Sequence, residues 1–281
     1  MYGENGELKA ALYIVPTPIG NMGDITLRAL ETLKSVDLIA AEDTRHSRAL
    51  MNHYEISTPL VSFHEYSEAS VVDKLADRVT AGESVALISD AGTPLVSDPG
   101  YALVRSVQIR GASVIPLPGA CAAITGLSAA GLPTHHFHFE GFLPAKQVAR
   151  VKRLEVIKAL NTTVILYEAP HRIVDLVDDM LAVFGEDHEI CIARELTKTF
   201  ETIRRAPLGE IRDWIVSDPN QQKGEFVVIA GGVTDETVLD GKGRALLARL
   251  SSELPPRKAA QIVADHYGLK SRDLYQQLIA D

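Results

Sequence analysis

The densest group of side chains able to bind or react lies in residues 89–100, SDAGTPLVSDPG. Ser89, Asp90, Thr93, Ser97 and Asp98 offer oxygens, and Gly92 permits backbone N–H groups to approach a ligand closely. The stretch follows an apolar run at 84–88, expected to be a buried strand, and precedes a helix expected from about Asp98, with Pro99 in its first turn. In an open α/β sheet, small molecules bind at such turns beyond the C-terminal ends of strands. The plainer alternative is a surface turn joining a strand to a helix.

Polar residues gather in the same way after other apolar runs. Strand 11–15 stops at PTPIGNMGD (16–24), a loop of restricted shape, with Asp24 the expected N-cap of a helix carrying Leu27, Leu30 and Leu33. It lacks GxGxxG spacing, and no GK[ST] occurs in the chain, so a dinucleotide fingerprint and a P-loop both lose support. Strand 36–40 ends in AEDTRH (41–46), where acidic residues suit a helix start but Arg45 and His46 oppose the helix dipole and need another purpose. Strand 60–63 leads to His64. Strand 112–115 leads into PLPGACAAITGLSAAG (116–131), whose small residues suit close helix packing and whose helix start at Gly119 can present N–H groups. Later strands at 137–139, 162–167, 189–192 and 226–230 alternate with helices and end in GFLPAK, YEAPHR and ARELTKTFE. His135, His136 and His138 do not suit a metal, because an alternating strand divides them between two faces and no Cys or acidic partner shares their spacing.

These elements predict an α/β protein with an N-terminal domain at 1–117 and a second α/β domain at 118–232. A polar linker at 233–241 and a helical appendage at 242–281 follow. In the appendage, 255–275 resembles a helix-turn-helix, with Ala264 at the helix crossing, Gly268 in the turn and Ser271 as cap; a hairpin that merely packs is the alternative. Composition is ordinary for a soluble protein, at 46% hydrophobic and 23% charged. No apolar run approaches the ~18 residues of a membrane span, and residues 1–9 lack the order of a secretion signal. Two cysteines, Cys121 and Cys191, make no disulfide framework, so a cytoplasmic location is expected. The net charge of −9 opposes nucleic-acid binding by bulk charge, yet residues 242–281 carry seven Lys/Arg against four Asp/Glu. Lys146, Arg150, Lys152 and Arg153 form a second basic run.

Taken in order, PTPIGNMGD, AEDTR, SDAGTPLVSDPG, PLPGACAAITGLSAAGLP, GFLP, YEAPHR and ARELTKTFE resemble the tetrapyrrole-methylase-like superfamily over about residues 11–232. More closely they resemble its rRNA branch, the small-subunit rRNA (cytidine-2′-O)-methyltransferase I family. The resemblance implies two α/β domains of the tetrapyrrole methylase type with S-adenosylmethionine in the cleft between them, usually in a homodimer, with no membrane association. Its substrate would be a cytidine ribose in the decoding region, on free small-subunit rRNA or the assembled subunit. By motif, the methyl donor would touch Pro18, Gly20, Asp90, Gly92, Thr93, Val96, Gly119, Ala120, Tyr167, Ala193, Arg194 and Glu195. A sulfonium cation bearing an adenosine suits carbonyls, a few directed polar groups and apolar walls, with no lysine cradle for phosphate.

The implied reaction is an in-line displacement, for which the protein must align the reactants and help a hydroxyl lose its proton. Asp43, His64, Glu168, His171, Lys198 and Glu201 are all candidates for that base, and each can equally cap a helix or form an ion pair. Arg45, Arg172 and Arg194 suit phosphates, as do Lys146 and Arg150 and, in the appendage, Arg257, Lys258, Lys270 and Arg272. Methylation of a small tetrapyrrole is a rival reading on the same fold, although a small macrocycle has no use for the basic segments. A non-catalytic module that binds nucleic acid and senses the donor is another.

Overall fold

A computed structural model describes residues 8–64, 69–232, 239, 241–267, 269 and 271–280. The chain forms two compact units, Met1–Gly232 and Val233–Asp281.

The first unit begins with β1 (Leu12–Ile14), α1 (Leu27–Ser35), β2 (Leu38–Ala41), α2 (Thr44–His53), β3 (Leu60–Ser62), α3 (Ala69–Thr80), β4 (Val85–Ile88), α4 (Tyr101–Ile109) and β5 (Val114–Pro116). The five strands make one parallel sheet in the order β3-β2-β4-β1-β5. Helices cover both faces, which is why β1, β2 and β4 are apolar throughout rather than alternating. Leu12, Leu38, Val85 and Leu87 pack with Leu75 and Val79 of α3 and Leu103 and Val107 of α4. Tyr13, Ile39, Ala86 and Ile88 pack with Leu33 of α1 and Leu50 and Met51 of α2.

Next, α5 (Ala122–Ala129) leads to β6 (Phe137–Phe142), α6 (Gln147–Leu160), β7 (Thr163–Glu168), α7 (Ile173–Phe184), β8 (Glu189–Arg194), β9 (Thr202–Pro207), α8 (Leu208–Ser217) and β10 (Phe226–Ala230). Their sheet runs β6-β7-β10-β8-β9 and is antiparallel except between β6 and β7. Leu154, Met180 and Ile211 from α6, α7 and α8 bury one face. On the other, Ala123 and Leu127 of α5 meet Ile165, Cys191, Val227 and Ile229. Gly126 shows why small residues are needed there: a Cβ on it would lie 3.2 Å from Val227 Cγ1.

Several boundaries differ from the sequence expectations. Helix α4 starts at Tyr101 rather than near Asp98, because Gly100 (φ 145°) turns the chain first. Helix α5 starts at Ala122 rather than Gly119, and the cap of α1 is Thr26, whose side chain accepts from Ala29 N, rather than Asp24. Strand β9 has no counterpart among the expected strands: as an edge strand reading TIRRAP it carries too few apolar residues to show alternation.

The second unit holds α9 (Gly241–Glu253), α10 (Pro256–Tyr267) and α11 (Ser271–Ala280) around Leu247, Ala259, Val263, Ala264 and Leu274. Ala264 is buried, and Ser271 opens α11; Gly268 and Lys270 lie outside the described residues. Of the expected linker, 233–238 and 240 also lie outside them, while Leu239 is buried with this core. Among the described residues, no helix is long and apolar enough to cross a membrane, and no group of three or more His, Cys, Asp or Glu is placed to hold a metal ion.

Candidate active site

The parallel sheet delivers the loops after β1, β2, β4 and β5 to one edge. The first and third of these clasp each other, as Thr17 N donates to Gly92 O (2.9 Å) and Gly92 N to Thr17 O (3.0 Å). The expected role of Gly92 changes accordingly: its N–H is spent on the clasp. Its φ of 82° shapes the turn, and a Cβ would press on Ile19 at 3.3 Å. Thr93 Oγ1 donates to Ala120 O (2.8 Å), tying in the loop after β5. Gly119 does not open a helix; it packs on Pro16, whose Cβ a side chain at 119 would meet at 2.5 Å.

Beyond these loops lies a cleft of about 450 Å³. Asp90, Gly92, Thr93, Val96, Tyr167 and Ala193, six of the twelve donor-contact candidates, line it. Pro18 and Gly20 line an adjoining cavity of about 280 Å³, which shares Ile19, Asp90, Ala91 and Glu225 with the cleft. Gly20 is required there, since a Cβ would stand 2.5 Å from Lys198 Cγ. The cleft also takes in Glu42, Asp98, Cys121, Phe142, Leu196 and Glu225–Val227, none of them among the candidates. Glu42, Asp98 and Phe142 sit inside motifs already visible in the sequence. Glu225–Val227 carry no local signal, because only the antiparallel entry of β10 brings them to this edge.

The polar lining is acidic. Glu42, Asp90, Asp98, Glu168 and Glu225 contribute carboxyl groups, and no Lys or Arg among the described residues lines the cleft. Asp90 Oδ1 accepts from Asp43 N (3.1 Å), joining the β4 turn to the start of α2. Burial pushes the Asp98 carboxyl up to about 6; a hydrogen bond from the Ser89 hydroxyl opposes the rise, and the Glu42 and Asp90 charges add to it. Glu168 is 2% exposed. Its Oε1 accepts from Ala169 N (2.9 Å) and stands 3.2 Å from Arg172 Nε, while buried Oε2 has no partner. Burial raises its pKa against the opposing Ala169 N–H and Arg172 charge. Tyr167 accepts from Ala123 N (3.0 Å), supplying α5 with the cap its own sequence lacks, and burial raises the pKa of the phenol. Phe139 and Phe142 meet its ring edge-on, with centroids 5.1 and 5.6 Å away.

Several candidates are occupied elsewhere. Asp43 caps α2 and pairs with Arg45 (3.1 Å), whose hydrogen bonds hold the carboxyl below its ordinary range, which is the wrong direction for a base. Glu201 Oε2 accepts from Thr197 N (2.7 Å) to close its loop, and Lys198 bridges Glu195 and Glu225 at 2.9 Å each. Glu195 thus braces its loop and does not line the cleft. His171 is exposed, outside the cleft lining. Among the basic residues, Arg150 is 3% exposed and bound to Asp179 (2.6 Å), so it does not present a charge to RNA. Arg172 donates to Leu143 O (2.7 Å) and Pro144 O, fastening the GFLP loop. Arg194 donates to Lys223 O, Phe200 O and Thr202 Oγ1, and so faces neither donor nor phosphate. Arg153 grips Glu140, which also meets His138 at 2.8 Å; this corrects the expectation that His138 has no acidic partner, since Glu140 stands two residues on along the same strand. Arg45, Lys146, Arg257, Lys258 and Arg272 are exposed; Arg257 lies over the Tyr275 ring.

Two sheets in these orders, meeting at a cleft fed by parallel strand ends, define a class. The family model of Tetrapyrrole (Corrin/Porphyrin) Methylases matches residues 11–212, and that of the RsmI C-terminal HTH domain matches residues 237–281. Diphthine synthase superposes with a TM-score of 0.61 at 14% identity, over 79% of this chain and 90% of that one. A cobalt precorrin-4 methyltransferase superposes with a TM-score of 0.57 at 17% identity, over 79% and 95%. This is a methyltransferase of the tetrapyrrole methylase class. Within the class, the ribosomal RNA small subunit methyltransferase I of Vibrio cholerae is 52% identical over 267 residues, 94% of this chain and 93% of that protein. That of Pseudomonas aeruginosa is 50% identical over 271 residues, 95% and 96% of the two chains. The chain belongs to the ribosomal RNA small subunit methyltransferase I family.

Proposed function

We propose that the protein binds S-adenosylmethionine in the 450 Å³ cleft and methylates the ribose 2′-oxygen of a cytidine in the decoding region of small-subunit rRNA. The observation that carries the reading is the cleft's lining among the described residues: five carboxyl groups, no Lys or Arg, and walls of Ile19, Val96, Phe142, Leu196 and Val227. Such a surface attracts a small cation with apolar bulk and repels free phosphates. The unpartnered, buried Glu168 Oε2 fits a ligand that brings its own hydrogen-bond donor.

When bound, the donor supplies an electrophilic methyl on a sulfonium. Asp90, Val96, Tyr167 and Ala193 hold and orient it, with Gly92, Thr93, Gly119 and Ala120 fixing the shape of the wall and Pro18 and Gly20 that of the adjoining cavity. Among the candidate RNA contacts, Arg45, Lys146, Arg257, Lys258 and Arg272 are exposed and so available to rRNA phosphates, and two copies of the chain form the working enzyme.

The test is to incubate the protein with isotope-labelled donor and either small-subunit rRNA or assembled subunits, then map the label. A methyl on a cytidine 2′-oxygen is the expected result. Label found only on a corrinoid, or donor binding without transfer to RNA, would falsify the reading, and light scattering reports the dimer.

A further inference from the structure

A second cavity, of about 520 Å³, lies beside the cleft and shares Glu42, Ser97 and Asp98 with it. Its remaining wall includes Phe63, His64, Pro99 and Tyr101. Asp98 therefore stands in a partition reached from both sides. Two features pin it there. Ser97 (φ 66°) and Gly100 (φ 145°) turn the chain on either side, and Ser97 Oγ sits so close to Gly141 that a Cβ on that glycine would meet it at 2.9 Å. Tyr101, the first residue of α4, lines this cavity and is 68% exposed. An exposed aromatic ring beside an aromatic-lined hollow is a stacking platform for an unpaired base.

We propose that the second cavity receives the target nucleoside and that Asp98 accepts the proton of its ribose 2′-hydroxyl. The assignment rests on the RNA-methylating reading above. Asp98 takes the proton as the 2′-oxygen bonds to the methyl carbon and the carbon–sulfur bond breaks, the bonding pair staying on sulfur. The cationic donor and the carboxylate both end neutral, and the carboxyl then returns its proton to water. Asp43 and Glu201, bound within their own loops, are not free for this step. The groups that act on the charge of Asp98, besides its burial, are the Ser89 hydroxyl and the Glu42 and Asp90 carboxylates from neighbouring loops. Tyr167, Glu168 and Glu225 are the further titratable groups on the cleft side, and His64 and Tyr101 those of the second cavity. With its carboxyl near 6, Asp98 is ionised at neutral pH yet basic enough to act.

The full-length protein tests this in four measurements. Wild-type kcat/KM for the donor, which reports the ionisations of the donor-free protein, should fall on an acid limb near pH 6 and match the midpoint of the Asp98 ¹³C carboxyl signal in that state. Asp98→Asn should lower kcat, measured at saturating donor, about 10²-fold or more and abolish the limb. Ser89→Ala removes the hydroxyl that holds the carboxyl down, so limb and ¹³C midpoint should both move up. Tyr101→Ala should raise the KM for RNA without changing donor affinity.

An Asp98→Asn enzyme that keeps its acid limb, or regains its rate at saturating donor, overturns the proton-acceptor role. So does a Ser89→Ala limb that stays in place, which decides the matter if Asp98→Asn fails to fold. An unchanged RNA KM in Tyr101→Ala removes the nucleoside from the second cavity. Failure of the wild type to methylate ribose sinks the functional reading as well, whereas methylation that tolerates Asp98→Asn sinks the base alone.

Discussion

Asp98 carries a carboxyl that the fold favours in its protonated state. Its pKa is about 6 in the folded protein against an ordinary 3.8, so its stabilising contribution is fully present below about pH 4 and is lost as pH rises through 6. After discounting for partial solvation, the charged form costs about 1–2 kcal/mol at pH 8. Asp98→Asn should therefore raise the melting temperature at pH 8 and leave it nearly unchanged at pH 4; a shift of equal size at both would remove the titration from the explanation. Asp90 differs, because its Oδ1 is already hydrogen-bonded to Asp43 N while the residue lines the cleft. Asp90→Ala loses that tie and a negative charge facing the donor, and calorimetry should show binding weakened about tenfold or more. Unchanged affinity would take the β4 turn out of the donor site. Both residues sit in one sequence motif, where oxygens after a buried strand announce a site. Spacing alone did not separate Asp98 from its neighbours, since its pKa depends on Glu42, some fifty residues away, and on burial.

At the scale of elements, the strands of the parallel sheet were legible because burial on both faces makes them continuously apolar, as in VALI of β4 and LIAA of β2. Helix starts were less so, because the decisive contacts come from far away. Helix α5 takes its cap from Tyr167, and α4 begins only after the positive φ of Gly100. The basic run on α6 misled for a related reason. Arg150 faces α7 and meets Asp179 at 2.6 Å, and Gln147 donates to the same carboxylate. Which of four neighbouring cations turns inward is settled by the acid opposite, on another helix. Arg150→Ala strands a buried carboxylate and should cost about 3–5 kcal/mol in urea unfolding, while Arg150→Ala with Asp179→Ala should recover part of that loss. RNA affinity, measured where both variants are folded, should hardly move; a tenfold loss would restore Arg150 to the RNA-facing set.

At the scale of the molecule, charge is divided along the chain. The overall charge is −9, yet residues 242–281 carry seven Lys/Arg against four Asp/Glu. The 450 Å³ cleft is itself acidic, so attraction of RNA phosphates must come from elsewhere on the protein. In the three-helix unit, Lys258 on α10 and Arg272 on α11 are both exposed, and the apolar core of that unit does not use them. A paired reversal, Lys258→Glu with Arg272→Glu, isolates their electrostatic role without touching that core. If each neutralises one phosphate, the plot of log affinity against log salt should flatten by about 0.7–0.9 per contact, roughly 1.5 for the pair. Affinity at low salt should fall at least about tenfold. Donor binding by calorimetry should stay as in the wild type, because neither residue lines the cleft. A salt slope unchanged by the reversal would assign these helices a packing role and leave Arg45 and Lys146 of the larger unit as the cations that meet rRNA.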